Sequence, residues 1–496
     1  MPAATGAVSV APIANEGLAG LRWGGGAGYA AALTTIDWIK LAIVGPLFFM
    51  LAPAMGFVLK GKVSWQRVAF GMMCFMTLNG LLGPGNWGLT LASIESYRGH
   101  TKGYHFYFNN AIAIALIVAK WLEDPKSVRF FPPGLCWYLL YCGMSMLSMV
   151  NAPDFNLALM AAHKSIFTAL LMVATYNTLR TDDDLKFFLK VMAYTMLWEL
   201  FVCLKMKYLM GVYQVNGTFE HQNPLAMYSV LMGMLFLAVG LGPAYKGANL
   251  LLVAFLACGI IVECTLSRGA LVMFGLGAVV VTGASLVEKI TPRRMALTMT
   301  MALLGSVGAV LAMGTIIARF NDKGNQASGE LREVMKDACR AMVADHPLGI
   351  GWNNYALVVN PPYRYAEIYY DWLRGMGQRP NEDEPNSVVE SHYYLLLAET
   401  GYVGLWSWLA VMFVGLYRNF RQFLTFGHSF RRCLALGVAA GCALNYTQSM
   451  LERVLVQPRN LMMWLIVMGI TGRLATMRLE TIKERKAAKN QPEETV

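Results

Sequence analysis

The stretch LAMYSVLMGMLFLAVGLGP, residues 225–243, contains no charged side chain and decides the class of this protein. Two further apolar stretches follow almost at once, at 248–265 and 269–287. An α-helix needs about 20 predominantly apolar residues to cross the hydrocarbon core of a membrane. The three stretches are therefore predicted to be consecutive transmembrane helices.

The rest of the chain repeats this pattern. Hydrophobic residues make up 56% of the 496 residues, charged residues only 14%, and the mean hydropathy is +0.44. Soluble proteins carry about 25% charged residues, so the composition predicts an all-α, polytopic integral membrane protein of about 12–13 transmembrane helices. The predicted spans lie near 40–59, 66–84, 106–121, 134–151, 157–177, 187–209, 225–243, 248–265, 269–287, 295–317, 392–416, 433–449 and 460–475.

The basic loops predict the orientation in the membrane. The segment 418–432 carries four arginines and no acid, and the loop 289–294 and the C-terminal tail are also basic. Loops rich in Lys and Arg stay in the cytosol, so alternation puts the large loop 319–391 on the opposite side. The net charge of +11 is explained by this orientation and does not indicate nucleic-acid binding.

These features divide the chain into five predicted parts, in which one large loop interrupts the transmembrane helices. They are a flexible or surface-lying segment 1–36, transmembrane helices in 37–318, the large loop 319–391, transmembrane helices in 392–476 and a cytoplasmic basic tail 477–496.

The large loop is expected to be functional, because structureless loops of this length are uncommon. Within it, the segment 329–344 has apolar residues at helical spacing. This pattern predicts an amphipathic helix that lies on the non-cytoplasmic surface of the membrane. Arg332, Lys336 and Arg340 share its basic face. For Lys336 and Arg340 a simple contact with water or lipid headgroups is the preferred interpretation. The loop is also aromatic, which suits either a sugar-binding surface or a membrane interface.

Arg268 lies at the start of a predicted span, between Ser267 and Gly269. An arginine at a helix end can reach the interface at little cost, which is its ordinary structural role. The small neighbours leave the guanidinium uncovered, and a helix N-terminus favours an anion. The planar donors of arginine match phosphate, so Arg268 is a candidate phosphate ligand.

His392 opens the predicted span 392–416, and Glu399 lies seven residues later on the same helix face. A lone histidine is more often structural, but an ionisable group in a membrane helix suggests function. Glu390, just before the helix, is a candidate to orient the imidazole or to assist the helix N-terminus.

Other polar residues near the outer ends of spans are weaker candidates, and a structural role is preferred for each. His221 and Lys164 are retained as possible supporting residues of the site. The remaining ones are Glu220, Asn223, His163, Arg453 and Arg459. The nine cysteines show neither a CxxC pair nor metal-ligand spacing, so no disulfide framework and no metal site are predicted.

Three motifs together resemble a known family. They are TLSRGALVMFGLGAVVV (265–281), LREVMKDACRAMVADHPLGIGWNNY (331–355) and SHYYLLLAETGYVG (391–404), and NGTFEHQNPLA (216–226) adds a fourth similarity. In this order around a large outer loop, they resemble the O-antigen ligase and O-antigen polymerase superfamily of bacterial inner membranes.

The resemblance implies a metal-independent, inverting glycosyltransferase without a cofactor. It would move a glycan from undecaprenyl diphosphate to a hydroxyl of lipid A core, protein or growing polysaccharide, with its active site facing the periplasm. Arg268 and Arg332 match the diphosphate-binding arginines of the family, and His392 matches the general base or acceptor-positioning residue. Tyr393 departs from the family, which often has Asn, Ser or Gln there.

Several alternatives remain open at this stage. Within the superfamily, a ligase attaches the glycan to another molecule, whereas an O-antigen or exopolysaccharide polymerase joins repeat units. A secondary transporter for an anion such as bicarbonate would also place arginines near the membrane, and a membrane scaffold with a binding loop would carry no chemistry. The expected partners are the lipid-linked donor, the acceptor and membrane lipids, and no nucleic acid.

Overall fold

A computed structural model describes residues 33–85, 87–243, 245–320, 324–381 and 384–489, and helices dominate it. This confirms the predicted all-α class, while residues 1–32 of the predicted N-terminal segment lie outside the described residues. The helices are α1 (Thr35–Leu59), α2 (Val63–Phe75), α3 (Phe108–Glu123), α4 (Leu135–Met146), α5 (Phe155–Thr168), α6 (Leu170–Thr178), α7 (Asp182–Leu204), α8 (Gln222–Gly240), α9 (Ala248–Thr265), α10 (Arg268–Glu288), α11 (Pro292–Phe320), α12 (Gly324–Asp345), α13 (Tyr355–Val358), α14 (Ala366–Gly375), α15 (His392–Thr425), α16 (Phe430–Gln448) and α17 (Pro458–Lys489).

Among the described residues, eight helices are long and apolar enough to cross a membrane. They are Thr35–Leu59, Phe155–Thr178, Asp182–Leu209, Gln222–Gly240, Ala248–Thr265, Arg268–Glu288, His392–Thr425 and Pro458–Glu484. The count falls below the 12–13 spans expected, partly because α2, α3 and α4 have only 13, 16 and 12 residues. At 1.5 Å per residue such helices are shorter than the hydrocarbon core, which is about 30 Å thick.

One predicted span, near 66–84, is replaced by a helix and a small sheet. Helix α2 stops at Phe75, and the glycine-rich stretch that follows leads into strand β1 (Gly88–Leu91). Strand β1 pairs antiparallel with β2 (Tyr104–Tyr107), with Gly88 opposite Tyr107. A side chain at Gly88 would meet the Phe106 carbonyl oxygen at 2.7 Å, so the pairing needs a glycine there. The loop 92–103 between the strands extends towards the large outer loop.

Helix α8, which contains most of the opening stretch, forms the centre of the bundle. Its residues from Pro224 to Gly240 are all buried, and it packs against α9, α10 and α16. A Cβ at Gly437 of α16 would lie 2.8 Å from the Leu235 Cα, so glycine allows the two backbones to approach closely. Small residues at helix contacts are the usual means of close packing within a membrane.

The described part of the large loop 319–391 is folded rather than structureless. The amphipathic helix predicted over 329–344 is observed within α12, whose apolar face buries Met335, Cys339 and Met342. Helices α13 and α14 follow, and α12 packs against α15. The loop therefore has a small hydrophobic core of its own that rests on the start of α15.

Helix α15 is broken at Gly401, where the sequence predicted one continuous span. Gly401 has a φ of 65°, outside the helical range. In a straight helix, residues 393 and 412 would be about 28 Å apart, yet Tyr393 Oη lies 3.8 Å from Met412 Sδ. The residues 392–400, here named the folded-back segment, therefore turn back along residues 402–425. This brings His392 inside the bundle.

Candidate active site

The imidazole of His392 is buried, with 1% of the residue exposed. Its backbone N–H donates to the Ser449 carbonyl at 3.0 Å, and its ring packs on Trp408 with centroids 5.3 Å apart. Among the described residues, neither ring nitrogen has a hydrogen-bond partner. Buried polar atoms are rarely left without partners, so both nitrogens are available for a bound molecule.

A buried network of Lys164, His100 and Glu399 lies next to this imidazole. Lys164 Nζ donates to His100 Nδ1 at 3.1 Å, and His100 Nε2 lies 3.0 Å from Glu399 Oε2. Lys164 also donates to the Val456 carbonyl at 3.2 Å. Both Lys164 and His100 are near enough to act electrostatically on His392. The hydrogen bonds fit a protonated lysine, a neutral histidine and an ionised glutamate.

The charge state of His100 agrees with this arrangement. Burial, and then the charge of Lys164, lower the pKa of His100 below its ordinary value. A neutral imidazole accepts from Lys164 through Nδ1 and donates to Glu399 through Nε2–H. The network therefore holds one positive and one negative charge, which reduces the cost of burying both.

Arg332 lies at the edge of the site between two carboxylates. Its guanidinium pairs with Glu390 and reaches Glu452 Oε1 at 3.4 Å. Burial and the neighbouring Glu390 raise the pKa of Glu452 to about 7. The Arg332 side chain remains 33% exposed, so a ligand can reach it. Glu390 was expected to orient the imidazole or to assist the helix N-terminus. It pairs with Arg332 instead, and among the described residues it makes no hydrogen bond to the imidazole.

Arg268 begins α10, at the same junction of helices. The next residue, Gly269, faces the side chain of Gln448 so closely that an added Cβ would overlap it. Gln448 ends α16 and is followed by Ser449, which accepts the hydrogen bond from His392. The start of α10, the end of α16 and the start of the folded-back segment therefore meet at one place.

His221 and Arg453 border the same junction. His221 Nδ1 accepts from the Asn223 N–H at 3.3 Å and caps the N-terminus of α8. Arg453 interacts electrostatically with Glu390, Glu452 and Glu399, and burial lowers the pKa of its guanidinium. Arg453 thereby connects the carboxylates around Arg332 with the buried Lys164 network.

Lys336 and Arg340 are directed elsewhere. Lys336 lies 5.7 Å from the centre of the Tyr394 ring, and Arg340 donates to Tyr394 Oη at 3.0 Å. Because Tyr394 is two residues after His392, the two side chains leave the helix about 200° apart. These cations hold α12 against the folded-back segment and are not part of the group around His392.

Two residues of the candidate site, His100 and Glu452, were not predicted from the sequence. His100 lies in the polar loop 92–103, whose backbone is held by Asn353: Thr101 N–H donates to Asn353 Oδ1 at 3.2 Å. Neither residue belongs to a motif or to a periodic pattern. The sequence signal for His100 is limited to its position as the single histidine of this polar loop.

Part of the chain matches the model of a known protein family. No similar chain is found among curated proteins. The matched segment, residues 251–409, contains Arg268, Arg332, His392 and Glu399. Lys164, His100 and Glu452 lie outside it. Residues 251–409 match the family described as O-antigen ligase, and this match confirms the resemblance to the O-antigen ligase-like superfamily that the motifs predicted.

Proposed function

We propose that the protein transfers a glycan from a lipid diphosphate of the undecaprenyl type to an acceptor hydroxyl at the His392 end of the bundle. The observation that carries this proposal is the buried imidazole without hydrogen-bond partners among the described residues, two positions after the Glu390 that pairs with Arg332 and within the segment that matches the O-antigen ligase family. Basic loops at the other end of the bundle support a periplasmic location for the site.

In the proposed reaction the acceptor oxygen attacks the anomeric carbon of the glycan. The bond from that carbon to the diphosphate oxygen breaks, and the lipid diphosphate leaves with the electron pair. A ring nitrogen of His392 takes the proton of the acceptor hydroxyl, a role that typically contributes about 10²–10⁴ in rate. In-line attack inverts the anomeric configuration.

Arg268 and Arg332 would stabilise the negative charge that develops on the leaving diphosphate. Fixed guanidinium groups act strongly in such a site because they need no reorganisation as the charge develops. Arg332 must exchange its contact with Glu390 for the phosphate, since a carboxylate occupies its fork. Glu452 supports this exchange, because a carboxyl with a pKa of about 7 can become protonated and loosen its hold on Arg332.

Transfer by purified protein tests the proposal. Undecaprenyl-diphosphate glycan is incubated with candidate acceptors, and the products are weighed by mass spectrometry. We expect His392→Ala, Arg268→Ala and Arg332→Ala each to lose at least 100-fold in transfer, because each removes charge stabilisation or proton transfer. Arg374→Ala, which removes an exposed arginine of α14 paired with Glu367 and Asp371, is the control and should retain activity.

Wild-type product yields in all three variants, at equal protein levels, would overturn the mechanism. The identity of the acceptor distinguishes two reactions of one site. Repeat units joined to each other identify a polymerase, and glycan attached to lipid A core or protein identifies a ligase.

The break at Gly401 also supports a second candidate, an anion transporter. In many transporters a half-helix N-terminus points at an anionic substrate near the middle of the membrane. The folded-back segment begins at His392 inside the bundle in a comparable way. Counterflow of radiolabelled bicarbonate in liposomes, without any change in lipid-linked glycan, would favour this candidate.

A further inference from the structure

We propose that the end of the bundle opposite His392 binds the phosphate headgroup of an anionic lipid, with an acyl chain in an adjoining apolar groove. This site is independent of the transfer reaction. Helix α17 connects the two ends: Pro458 begins it beside the Lys164 network, and Arg473 lies about 22 Å further along. By the distribution of basic loops, the Arg473 end is the cytosolic one.

The proposed headgroup site, here named the basic cavity, has a volume of about 270 Å³. Lys126, Arg129, Arg180 and Arg473 line it, and Glu480 is the one carboxylate among the described lining residues. The cavity is predominantly polar and is large enough for a phosphodiester. Planar guanidinium groups bind phosphate through paired hydrogen bonds, and lysine adds a point charge.

Four cations share one carboxylate, Glu480, among the described residues that line the basic cavity. Among the described residues, none of the four forms an ion pair with a carboxylate. Among the described residues, the Arg180 guanidinium donates to two neutral oxygens, Asn177 O at 2.9 Å and Ser127 Oγ at 3.1 Å. Arg473 donates from Nη2 to the Arg180 carbonyl at 2.8 Å, and its Nε is buried without a partner among the described residues. Buried guanidinium donors normally have acceptors, so this Nε favours a bound anion.

A neighbouring cavity at the same end shows the ordinary arrangement. It has about 290 Å³ and shares Arg180 with the basic cavity, but its own cations have acidic partners. Arg67 pairs with Asp184 at 3.1 Å, and Lys120 pairs with Glu123 at 3.1 Å. In this neighbouring cavity, carboxylates of the protein therefore neutralise the cations, in contrast to the basic cavity.

The apolar groove of about 280 Å³ starts beside the basic cavity. Its walls include Ile117, Phe130, Leu135, Ile166, Leu170 and Val173. Phe130 of the groove directly follows Arg129 of the basic cavity, so the walls of the two spaces contain residues whose Cα atoms are about 3.8 Å apart. Asn177 fixes this edge, since its side chain accepts from Arg129 N–H at 3.0 Å and donates to Arg129 O at 3.0 Å.

The direction of the groove identifies an amphiphile as the ligand. From Val173 through Leu170 to Ile166 the groove follows one face of the helix pair α5–α6, away from the basic cavity. A free phosphate would use the cations alone, whereas an anionic lipid would use both spaces. Anionic lipids are abundant at the cytosolic surface of membranes and attract arginine and lysine there.

Lipid binding to the full-length protein in neutral detergent tests this inference. Native mass spectrometry would follow titrations with dioleoyl phosphatidylglycerol, its chain-free headgroup glycerophosphoglycerol, and inorganic phosphate. The lipid should bind more tightly than the other two. Arg129→Gln combined with Arg473→Gln should weaken lipid binding about 25-fold, or about fivefold for each arginine. Ile166→Trp should weaken it by filling the groove.

Arg421→Gln is the matched control, because this exposed arginine lies at the end of α15 and contacts Tyr417 instead of the cavity. It should bind the lipid like wild type. Equal lipid affinity in all variants would overturn the inference, and so would headgroup or phosphate affinity as high as that of the lipid. If the double arginine variant does not fold, Ile166→Trp alone decides, since Ile166 is 44% exposed and its replacement disturbs no core.

Discussion

At the scale of single residues, the charge of each group at the candidate site depends on its neighbours. Arg332 pairs with two carboxylates, and His100 is a neutral imidazole between Lys164 and Glu399. The pKa of Glu452 is raised to about 7. Arginine and histidine motifs identify such groups in a sequence, but their protonation follows from burial and from partners distant in the chain.

Glu452 gives a pH-dependent stability with a defined sign. Its pKa rises from an ordinary 4.5 to about 7 on folding, so the folded protein binds more protons between these values. Its contribution is complete below about pH 4.5 and is lost as the pH rises through 7. The difference corresponds to roughly 3 kcal/mol.

Thermal unfolding of wild type and Glu452→Gln between pH 5 and pH 8 measures this effect. The advantage of wild type over the variant should shrink as the pH rises. Glu367→Gln, which removes an exposed partner of Arg374 on α14, is the control and should give a constant difference. An advantage of wild type that grows with pH would contradict the assignment.

At the scale of elements, the break in α15 creates the site. The periodicity of 392–416 predicts one continuous helix, and the helix propensity of most of these residues agrees with that prediction. The loop after α12 prevents this helix, because Ile350 N–H donates to the Ala398 carbonyl at 2.9 Å and Tyr402 N–H donates to the Pro347 carbonyl at 3.1 Å. Glycine at 401 permits the turn that these contacts require.

Gly401→Ala should therefore disrupt the site through the backbone. Its φ of 65° and ψ of −168° lie in a region used almost exclusively by glycine, which costs an alanine about 1–3 kcal/mol, and the added Cβ would overlap the Pro347 carbonyl oxygen. We expect a lower unfolding temperature and at least a tenfold loss of glycan transfer. Gly275→Ala, in α10, has open space around the Cβ position and should be neutral in both measurements. Unchanged transfer by Gly401→Ala would show that the folded-back segment is not required.

At the scale of the whole molecule, the site joins the two halves of the chain. The segment that matches the O-antigen ligase family supplies His392 and Glu399, and the N-terminal half supplies His100 and Lys164. The hydrogen bond between His100 and Glu399 spans 299 positions of sequence. A buried charge network of this kind couples distant segments, because no member can be left alone inside the bundle.

Lys164→Met should expose this coupling. It leaves Glu399 as an uncompensated buried charge, which costs about 3–5 kcal/mol. The double variant Lys164→Met with Glu399→Gln should recover part of that loss, because both charges are then removed. Thermal unfolding of the two single variants and the double variant gives the interaction energy. Strictly additive losses would contradict a shared network.

Local sequence patterns were sufficient for the membrane class and for the amphipathic helix of the large loop, and they predict Arg268, Arg332 and His392 as site residues. These features are predicted by local patterns in the sequence, namely runs of apolar residues, helical spacing and short motifs. The ends of the helices were predicted less well, because short apolar runs do not reveal where a helix stops and a hairpin begins.

The surroundings of those residues follow from the folded structure alone. It folds α15 back at Gly401, pairs Arg332 with Glu390, and brings His100 and Lys164 next to His392. The physical reason is that these contacts are made between segments far apart in the chain. Their geometry depends on the packing of the whole bundle around α8, which no local window of sequence contains.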